Sequence, residues 1–499
     1  MRTRPDDPLR TPLATIEAYL GDDLVQVVGD PAGVEVTGVT LNSTAAQPGD
    51  LFAAPPGTRV HGASYAEQAV ASGAVAVLTD AEGAGLARDA GVPLLVVPSP
   101  RAVLGSLAAK VYGEPALDLR LVAVTGTQGK TTTTRLAESA LQASGQRAAV
   151  VGTVGTRIDG QDVKTALTTP EAPDLQALFA VMREQGVHGC AMEVSSHALV
   201  MGRVDGVVFD VAAFTNLGRD HLDFHADEEE YFQAKAQLFT AARARLGLVN
   251  IDDAHGRRLL DEASIPMRTY STTWTADWQA VDIDADAASS AFTVLRDGSE
   301  VVRATVPLAG SFNVSNALCA IAALGEAGFD PADVGSAMGR GGGVPGRLER
   351  VDAGQPFLAV VDYAHKPDAV TAVLEALRPQ TKGRLIIVLG AGGDRDQGKR
   401  PIMGEIASRL ADVLVVTDDN PRSEDPAAIR AAVLAGATGS ADVHEVGDRR
   451  EAIRLAVSLA REGDVVVIAG KGHESGQEVD GVVTPFDDRE VLHEELNRL

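Results

Sequence analysis

A chain of 499 residues, 45% of them hydrophobic, is long enough for several cores, because one core stops growing near roughly 250–300 residues; about three domains are expected. Lys+Arg 44 against Asp+Glu 69 leaves a net charge of −25, a field that repels nucleic acid and anionic membranes, so a polyanionic ligand needs its own local cations or metal ions. The two cysteines, Cys190 and Cys319, lie in apolar runs without metal-like spacing, which excludes a disulfide framework and a zinc site and fits a reducing cytosol.

The start, residues 1–8, is charged and broken by proline; it reads as disordered and carries no export signal. No apolar run approaches the roughly 18 residues of a membrane span. Residues to about 114 read as a small α/β unit, with a helix over 65–72 feeding a strand over 74–78. After a Gly-Glu-Pro break at 113–115, the run 119–124 is a strand, followed at once by a glycine loop and a helical pattern over 131–143. Strand-like runs then alternate with helical ones, and the central runs end in polar residues: Ala191-Met-Glu-Val-Ser-Ser-His197, and Val211-Ala-Ala-Phe-Thr-Asn216 leading to Gly218-Arg-Asp-His221. Such alternation predicts a mostly parallel sheet whose ligands bind beyond the carboxyl ends of the strands. The glycine-rich stretch 339–346 reads as a hinge. Beyond it the pattern restarts, with strands over 357–361, 384–389, 413–416 and 465–468 predicting a second, separate parallel sheet.

In Thr125-Gly-Thr-Gln-Gly-Lys-Thr-Thr132, glycines let backbone amides turn toward phosphate, Lys130 suits the β and γ oxygens, and a hydroxyl can hold Mg²⁺ at the helix start. The general phosphate-loop pattern has an earlier glycine where this chain has Val124, and a plain glycine turn before a helix is the alternative.

Gly-Thr-x-Gly-Lys-Thr-Thr without that earlier glycine resembles the ATP loop of the Mur ligases and their folylpolyglutamate synthetase relatives, and the likeness covers essentially the whole chain. It implies an α/β fold of three domains. Residues 1–114 would bind a UDP substrate, 115–345 would form the central P-loop ATPase with a parallel sheet, and 346–499 would form a Rossmann-like domain for an amino acid. By the same resemblance Gly126, Thr127, Gln128, Gly129, Lys130, Thr131 and Thr132 bind ATP, joined by Asn313 of Phe312-Asn-Val-Ser-Asn316 and by Arg347 and Asp362. Glu193, His221 and Lys235 match positions that, with Thr131, hold two Mg²⁺ ions. The family implies that Lys235 is carbamylated, which turns a cation into an oxygen-bearing anion suited to a hard metal. Lys130, Glu193, His221 and Lys235 are thus the expected catalytic set.

What the family implies chemically is transfer of the γ-phosphoryl group of ATP to a substrate carboxylate, followed by attack of an amine on the acyl phosphate. Thr168, Thr169, Ser195 and Arg203 fall where the tripeptide-forming members contact the peptide of UDP-N-acetylmuramoyl-L-alanyl-D-glutamate. Ser43 and His61 fall where the first domain meets the UDP portion, although Asn42-Ser-Thr44 stands in place of the usual Asp-Ser-Arg. Asp419-Asn-Pro-Arg422 resembles the motif of members that add meso-diaminopimelate, making Asp419, Asn420, Pro421 and Arg422 candidates, with Arg395, Gly470 and Glu474. Physics supports that reading, because a guanidinium forks two bonds onto the distal carboxylate of diaminopimelate, whereas lysine offers only an ammonium there.

The expected protein is therefore a monomeric cytoplasmic ligase of peptidoglycan synthesis, taking small molecules and neither nucleic acid nor membrane. Alternatives are the L-lysine-adding or D-Ala-D-Ala-adding ligases, a folylpolyglutamate synthetase-like enzyme, or a P-loop switch protein.

Overall fold

Strands that must lie between helices on both faces need apolar residues at every position, and Gly189–Glu193 and Phe209–Phe214 are buried along almost their whole length. They flank Arg120–Thr125 in parallel, at the centre of an 11-stranded sheet in the computed structural model, which describes residues 2–285 and 289–499. The chain runs outward from Arg120–Thr125 to Ala148–Val151 on one side. It then returns through Gly189–Glu193 and continues on the other through Phe209–Phe214 and Ala244–Asn250. This reversal of strand order opens a crevice at the carboxyl ends, where residues 126–129 and 194–197 emerge.

Helices Lys130–Ala143 and Ser311–Glu326 pack on one face of this sheet through Leu136, Leu141, Val314 and Ile321. Ala172–Glu184 covers the other through Leu175, Phe179 and Met182. Sequence reading missed the far edge. Trp278–Ala285, Ser290–Arg296 and Ser299–Val306 add an antiparallel meander, anchored by buried Trp278, whose Nε1 donates to Glu326 at 2.9 Å.

The expected second sheet forms six strands, in the order Glu349–Arg350, Leu358–Asp362, Val465–Ala469, Leu385–Leu389, Val413–Val416, Asp442–Glu445. All its pairings are parallel except that of Glu349–Arg350. Neighbouring strands bring Asp362 beside Ala469–Gly470, and the segment after Leu389 beside Asp419–Arg422. Near the N-terminus a five-stranded sheet gathers Gln26–Val28, Leu94–Val96, Ala74–Thr79, Asp50–Ala53 and Gly38–Thr40.

The first residues, expected to be disordered, are instead tied down. The Arg4 guanidinium grips the buried carboxylate of Asp50, with one bond at 3.0 Å, and Arg2 pairs with Glu184 at 2.7 Å, so two arginines in a proline-broken segment act as anchors. Met1 lies outside the described residues. In the glycine-rich connection, a Cβ at Gly342 or Gly343 would meet open space. At Gly346 (φ 65°) it would lie 2.1 Å from the amide nitrogen of His473, so that glycine serves close approach as well as freedom. No helix of the described residues is long and apolar enough to cross a membrane.

Candidate active site

The loop after Arg120–Thr125 needs its glycines. Gly126 (φ 140°) and Gly129 (φ 85°) occupy backbone regions that favour glycine, and a Cβ on them would lie 2.0 Å from Thr215 Oγ1 and 2.3 Å from Asn316 Oδ1. Val124 is a fully buried strand residue paired with Glu193 and Ala213, and the strand continues through Thr125, so the turn begins at Gly126, two residues later than in the general pattern. Side chains and backbone of the next strand end hold the loop: Gln128 N donates to Asn216 Oδ1 at 2.9 Å, and Thr127 Oγ1 accepts from Gly218 N at 3.0 Å.

Three lysines converge here. Lys130 Nζ donates to the carbonyls of Gly126 (2.8 Å) and Thr127 (3.1 Å), and Lys235 Nζ donates to the same Gly126 carbonyl at 2.9 Å while lying 4.4 Å from the centre of the Tyr231 ring. Burial, with Lys366 nearby, lowers Lys130 to about 8. Burial lowers Lys235 well below the usual lysine value, and the charges of Lys130 and Lys366 push the same way. Lys366 is paired with Asp220, whose carboxyl is also 3.0 Å from His221 Nε2. Burial opposes ionisation of Asp220, but the His221 hydrogen bond and the Lys366 charge outweigh it and hold this acid well below its ordinary range.

Glu193 is buried at the end of its strand. Its Oε1 accepts from Thr153 N at 2.8 Å and its Oε2 from Thr153 Oγ1 at 3.1 Å; a Cβ at Gly152 would intrude to 2.3 Å. Glu193, His221, Lys235 and Thr131 line one cavity of about 760 Å³, with Thr168, Thr169, Ser195 and Arg203. As a metal cage the set is incomplete without modification, because Lys235 Nζ donates to Gly126 O and brings no oxygen to a hard cation. Among the described residues no group of three or more His, Cys, Asp or Glu gathers as a metal site. A carbamate on Lys235 would supply the missing oxygens, and with it the donors fit a hard cation.

Of the nucleotide candidates, Asn313 is buried and donates to Ala309 O at 2.7 Å. Arg347 lies over the Tyr363 ring, 4.5 Å from its centre, and donates to Thr131 Oγ1 at 3.2 Å, linking the two large sheets. Asp362 accepts from the amides of Leu348 and Ala364, each at 2.8 Å, and burial raises its pKa against the pull of Arg347. Thr169 Oγ1 donates to Glu193 O at 2.9 Å, Thr168 faces Thr153 at 3.2 Å, and Arg203 Nε donates to Glu171 at 2.9 Å.

A second cavity, of about 330 Å³, is lined by Arg395, Asp419, Asn420, Arg422, Gly470 and Glu474. His197, His221, Tyr363, His365, Lys366 and Arg395 stand on the walls of both cavities, so the two adjoin. Arg422 (φ 54°) donates to Gly393 O at 2.7 Å and lies 3.4 Å from Glu478. Pro421 does not line the cavity. Its carbonyl packs against Gly393, where a Cβ would approach to 1.8 Å, so it shapes the turn.

Ser43 and His61 follow adjacent parallel strands of the first sheet but line neither cavity: Ser43 Oγ donates to Gln68 at 2.9 Å, and His61 Nε2 lies 3.0 Å from Asp80. Sequence reading missed Thr153, Lys366 and Lys471. Thr153 carried no signal, but Lys366 stands four residues after the candidate Asp362, and Lys471 between the candidates Gly470 and Glu474.

Three family models match the chain: "Mur ligase family, catalytic domain" over residues 35–112, "Mur ligase middle domain" over 124–324 and "Mur ligase, glutamate ligase domain" over 346–472. The UDP-N-acetylmuramoyl-L-alanyl-D-glutamate--2,6-diaminopimelate ligase of Streptomyces coelicolor is 54% identical over 99% of this chain and 98% of its own. The ligase of the same name from Corynebacterium glutamicum is 50% identical over 94% of each. A solved structure of a UDP-N-acetylmuramoyl-L-alanyl-D-glutamate--2,6-diaminopimelate ligase, 34% identical, superposes with a TM-score of 0.69 over 98% of this chain and 99% of that one.

Proposed function

The chain belongs to the Mur ligase family, and from that premise we propose that it is an ATP-dependent ligase joining meso-diaminopimelate to the D-glutamate side chain of UDP-N-acetylmuramoyl-L-alanyl-D-glutamate, in peptidoglycan synthesis. The observation that carries this reading is that two cavities share a wall, one built on a phosphate loop and the other on Arg422 and Glu474. An acyl phosphate made in the first is met by an amine held in the second.

Residues 1–114 take the UDP portion with Ser43 and His61, residues 115–345 take ATP, and residues 346–499 take the amino acid. Amides of residues 126–132 and Lys130 hold the β and γ phosphates at a helix start, Asn313 and Asp362 face the nucleoside, and Arg347 adds charge from the third unit. Thr131, Glu193, His221 and a carbamylated Lys235 would hold Mg²⁺, two ions in all. When bound, the metal neutralises charge on the transferred phosphoryl group. The low proton affinity of Lys235 supports this assignment, since only a neutral amine adds CO₂.

Thr168, Thr169, Ser195 and Arg203 orient the dipeptide so that its side-chain carboxylate oxygen attacks the γ phosphorus and ADP leaves. The amine then attacks the acyl carbon, loses a proton, and expels phosphate, leaving an amide. Arg395 and Arg422 face the distal carboxylate, and Asp419 and Glu474 the distal ammonium. Open space beside Gly342 and Gly343 supports a closing motion that excludes water during these steps. We take the enzyme to work as a monomer, and its nucleotide substrates fit the cytoplasm.

The test is a substrate panel scored by ADP release. Release should require the UDP-dipeptide and an amine together, and meso-diaminopimelate should exceed L-lysine and L-ornithine by about 100-fold or more in kcat/KM, as expected when a buried charge lacks its partner. Equal use of L-lysine would defeat the amino-acid assignment; ADP release without any amine would point to a switch.

A further inference from the structure

A lysine between two glycines in a loop ordinarily extends into solvent. Lys471 does the opposite: it is 0% exposed. Its neighbours Gly470 (φ 118°) and Gly472 (φ 54°) both adopt backbone that favours glycine, and neither has room for a Cβ. At Gly470 a Cβ would lie 2.5 Å from Asp419 Oδ2, and at Gly472 2.8 Å from Tyr363 Cβ. The two glycines let the chain turn this one ammonium inward.

Inside, Lys471 Nζ donates to Asn420 Oδ1 at 3.0 Å and reaches Glu474 Oε2 at 3.2 Å. Asn420 Oδ1 also accepts from Glu478 N at 3.0 Å, so two donors fix which end of the amide is oxygen, and its nitrogen is left to donate to Glu474 Oε2 at 2.9 Å. Glu474 thus receives both bonds on one oxygen, which sets the orientation of a carboxylate that lines the second cavity. Burying a cation is costly unless it is paired and hydrogen-bonded, and both partners here are groups of the pocket.

Resting on the reading of this pocket as the amino-acid site, we infer that Lys471 is a positioning residue for it, holding the Glu474 carboxylate in place and Asn420 unflipped so that they meet the incoming amino acid prearranged. It touches no substrate itself and acts through these two side chains.

The experiment is a double-mutant cycle of Lys471→Met and Glu474→Gln in the full-length enzyme, with KM for meso-diaminopimelate, KM for ATP, kcat and thermal unfolding measured for each. Lys471→Met should raise the diaminopimelate KM roughly 10- to 100-fold, as when a supporting partner behind a contact residue is lost, with ATP KM and saturated kcat within about threefold. The double variant should be at most about threefold worse than the worse single one, since both act through one group. An unchanged diaminopimelate KM in Lys471→Met, additive losses, or a parallel rise in ATP KM would overturn the inference. If Glu474→Gln itself leaves the diaminopimelate KM unchanged, the reading of the pocket falls instead. Should Lys471→Met unfold below assay temperature, Lys471→Gln, which keeps a donor, repeats the test, and loss of the fold in both assigns Lys471 to the core and ends the positioning role.

Discussion

Two lysines at the phosphate loop are held unlike the cations of the adjoining pocket, although Lys366 beside them is paired with Asp220. Around the phosphate loop, Lys130 and Lys235 donate to backbone carbonyls rather than to carboxylates, and burial pushes both toward the neutral amine. In the neighbouring pocket Lys471 meets Glu474, Arg422 meets Glu478, and behind them the fully buried Arg449 is clamped by Asp488 at 2.6 Å while donating to Ala469 O at 2.9 Å. On the proposed function, lysines held without a carboxylate suit a site whose ligand brings several negative charges and whose Lys235 is to add CO₂. Compensated charge suits a site that must recognise a zwitterion without collapsing onto it.

The largest effect expected on this comparison comes from Lys235. Lys235→Ala should lower turnover by about 10³-fold or more, because removing a charge-stabilising element at a phosphoryl-transfer centre costs on that order, and added formate or acetate should restore part of it. Steady-state ADP release with all substrates measures both. Full activity in the alanine variant would remove Lys235 from the chemistry and leave its buried amine without a purpose.

Next in size is Arg422. Truncating one member of a desolvated charge pair costs roughly 2–5 kcal/mol, so Arg422→Ala should raise the apparent diaminopimelate constant about 30-fold or more while nucleotide binding stays as it was. A matching loss of ATP affinity, read by titration calorimetry, would mean that the two cavities are not separable in the way their charge pairing suggests.

Much of this architecture was legible in the sequence for a physical reason. Buried parallel strands are short, apolar and followed by polar residues, so runs such as 413–416 and 465–468 announced both a strand and the site at its carboxyl end. The meander over 278–306 escaped because its strands are partly exposed and mixed in composition, with no apolar block to mark them. The ordered N-terminal segment escaped because Arg4 is fixed by Asp50, a partner 46 residues away that composition cannot reveal. At the site, glycines and motif lysines were readable, whereas Thr153 was not: a lone threonine cradling Glu193 through backbone and hydroxyl leaves no pattern. Ser43 and His61 show the converse, since a motif position located them but the fold puts them on the walls of neither cavity.

A pH experiment sharpens the contrast further. Lys130 sits at about 8 in the free protein, and phosphate oxygens would raise it. Above pH 8 binding must therefore take up a proton, and ATP affinity should fall with rising pH by up to about tenfold per unit until the bound-state value is reached. Lys130→Met should bind more weakly but with a flat profile over the same range. A wild-type profile equally flat between pH 8 and 9.5 would show that the lysine is already charged before ATP arrives.

The smallest expected effect tests the paired side of the comparison at its rim. Glu478 is partly exposed and 3.4 Å from Arg422, so the pair is worth at most about 1 kcal/mol. Yet it competes for the guanidinium that a distal carboxylate would claim. Glu478→Gln keeps the backbone amide that donates to Asn420 and removes only the charge. The diaminopimelate KM should therefore fall, by no more than about threefold, since each 1.4 kcal/mol is tenfold and only part of a weak pair is recovered. A rise of tenfold or more would give Glu478 a different place: it would be holding the ammonium of the amino acid, and the pocket would read the two ends of its ligand with Arg422 and Glu478 rather than with Arg422 and Glu474.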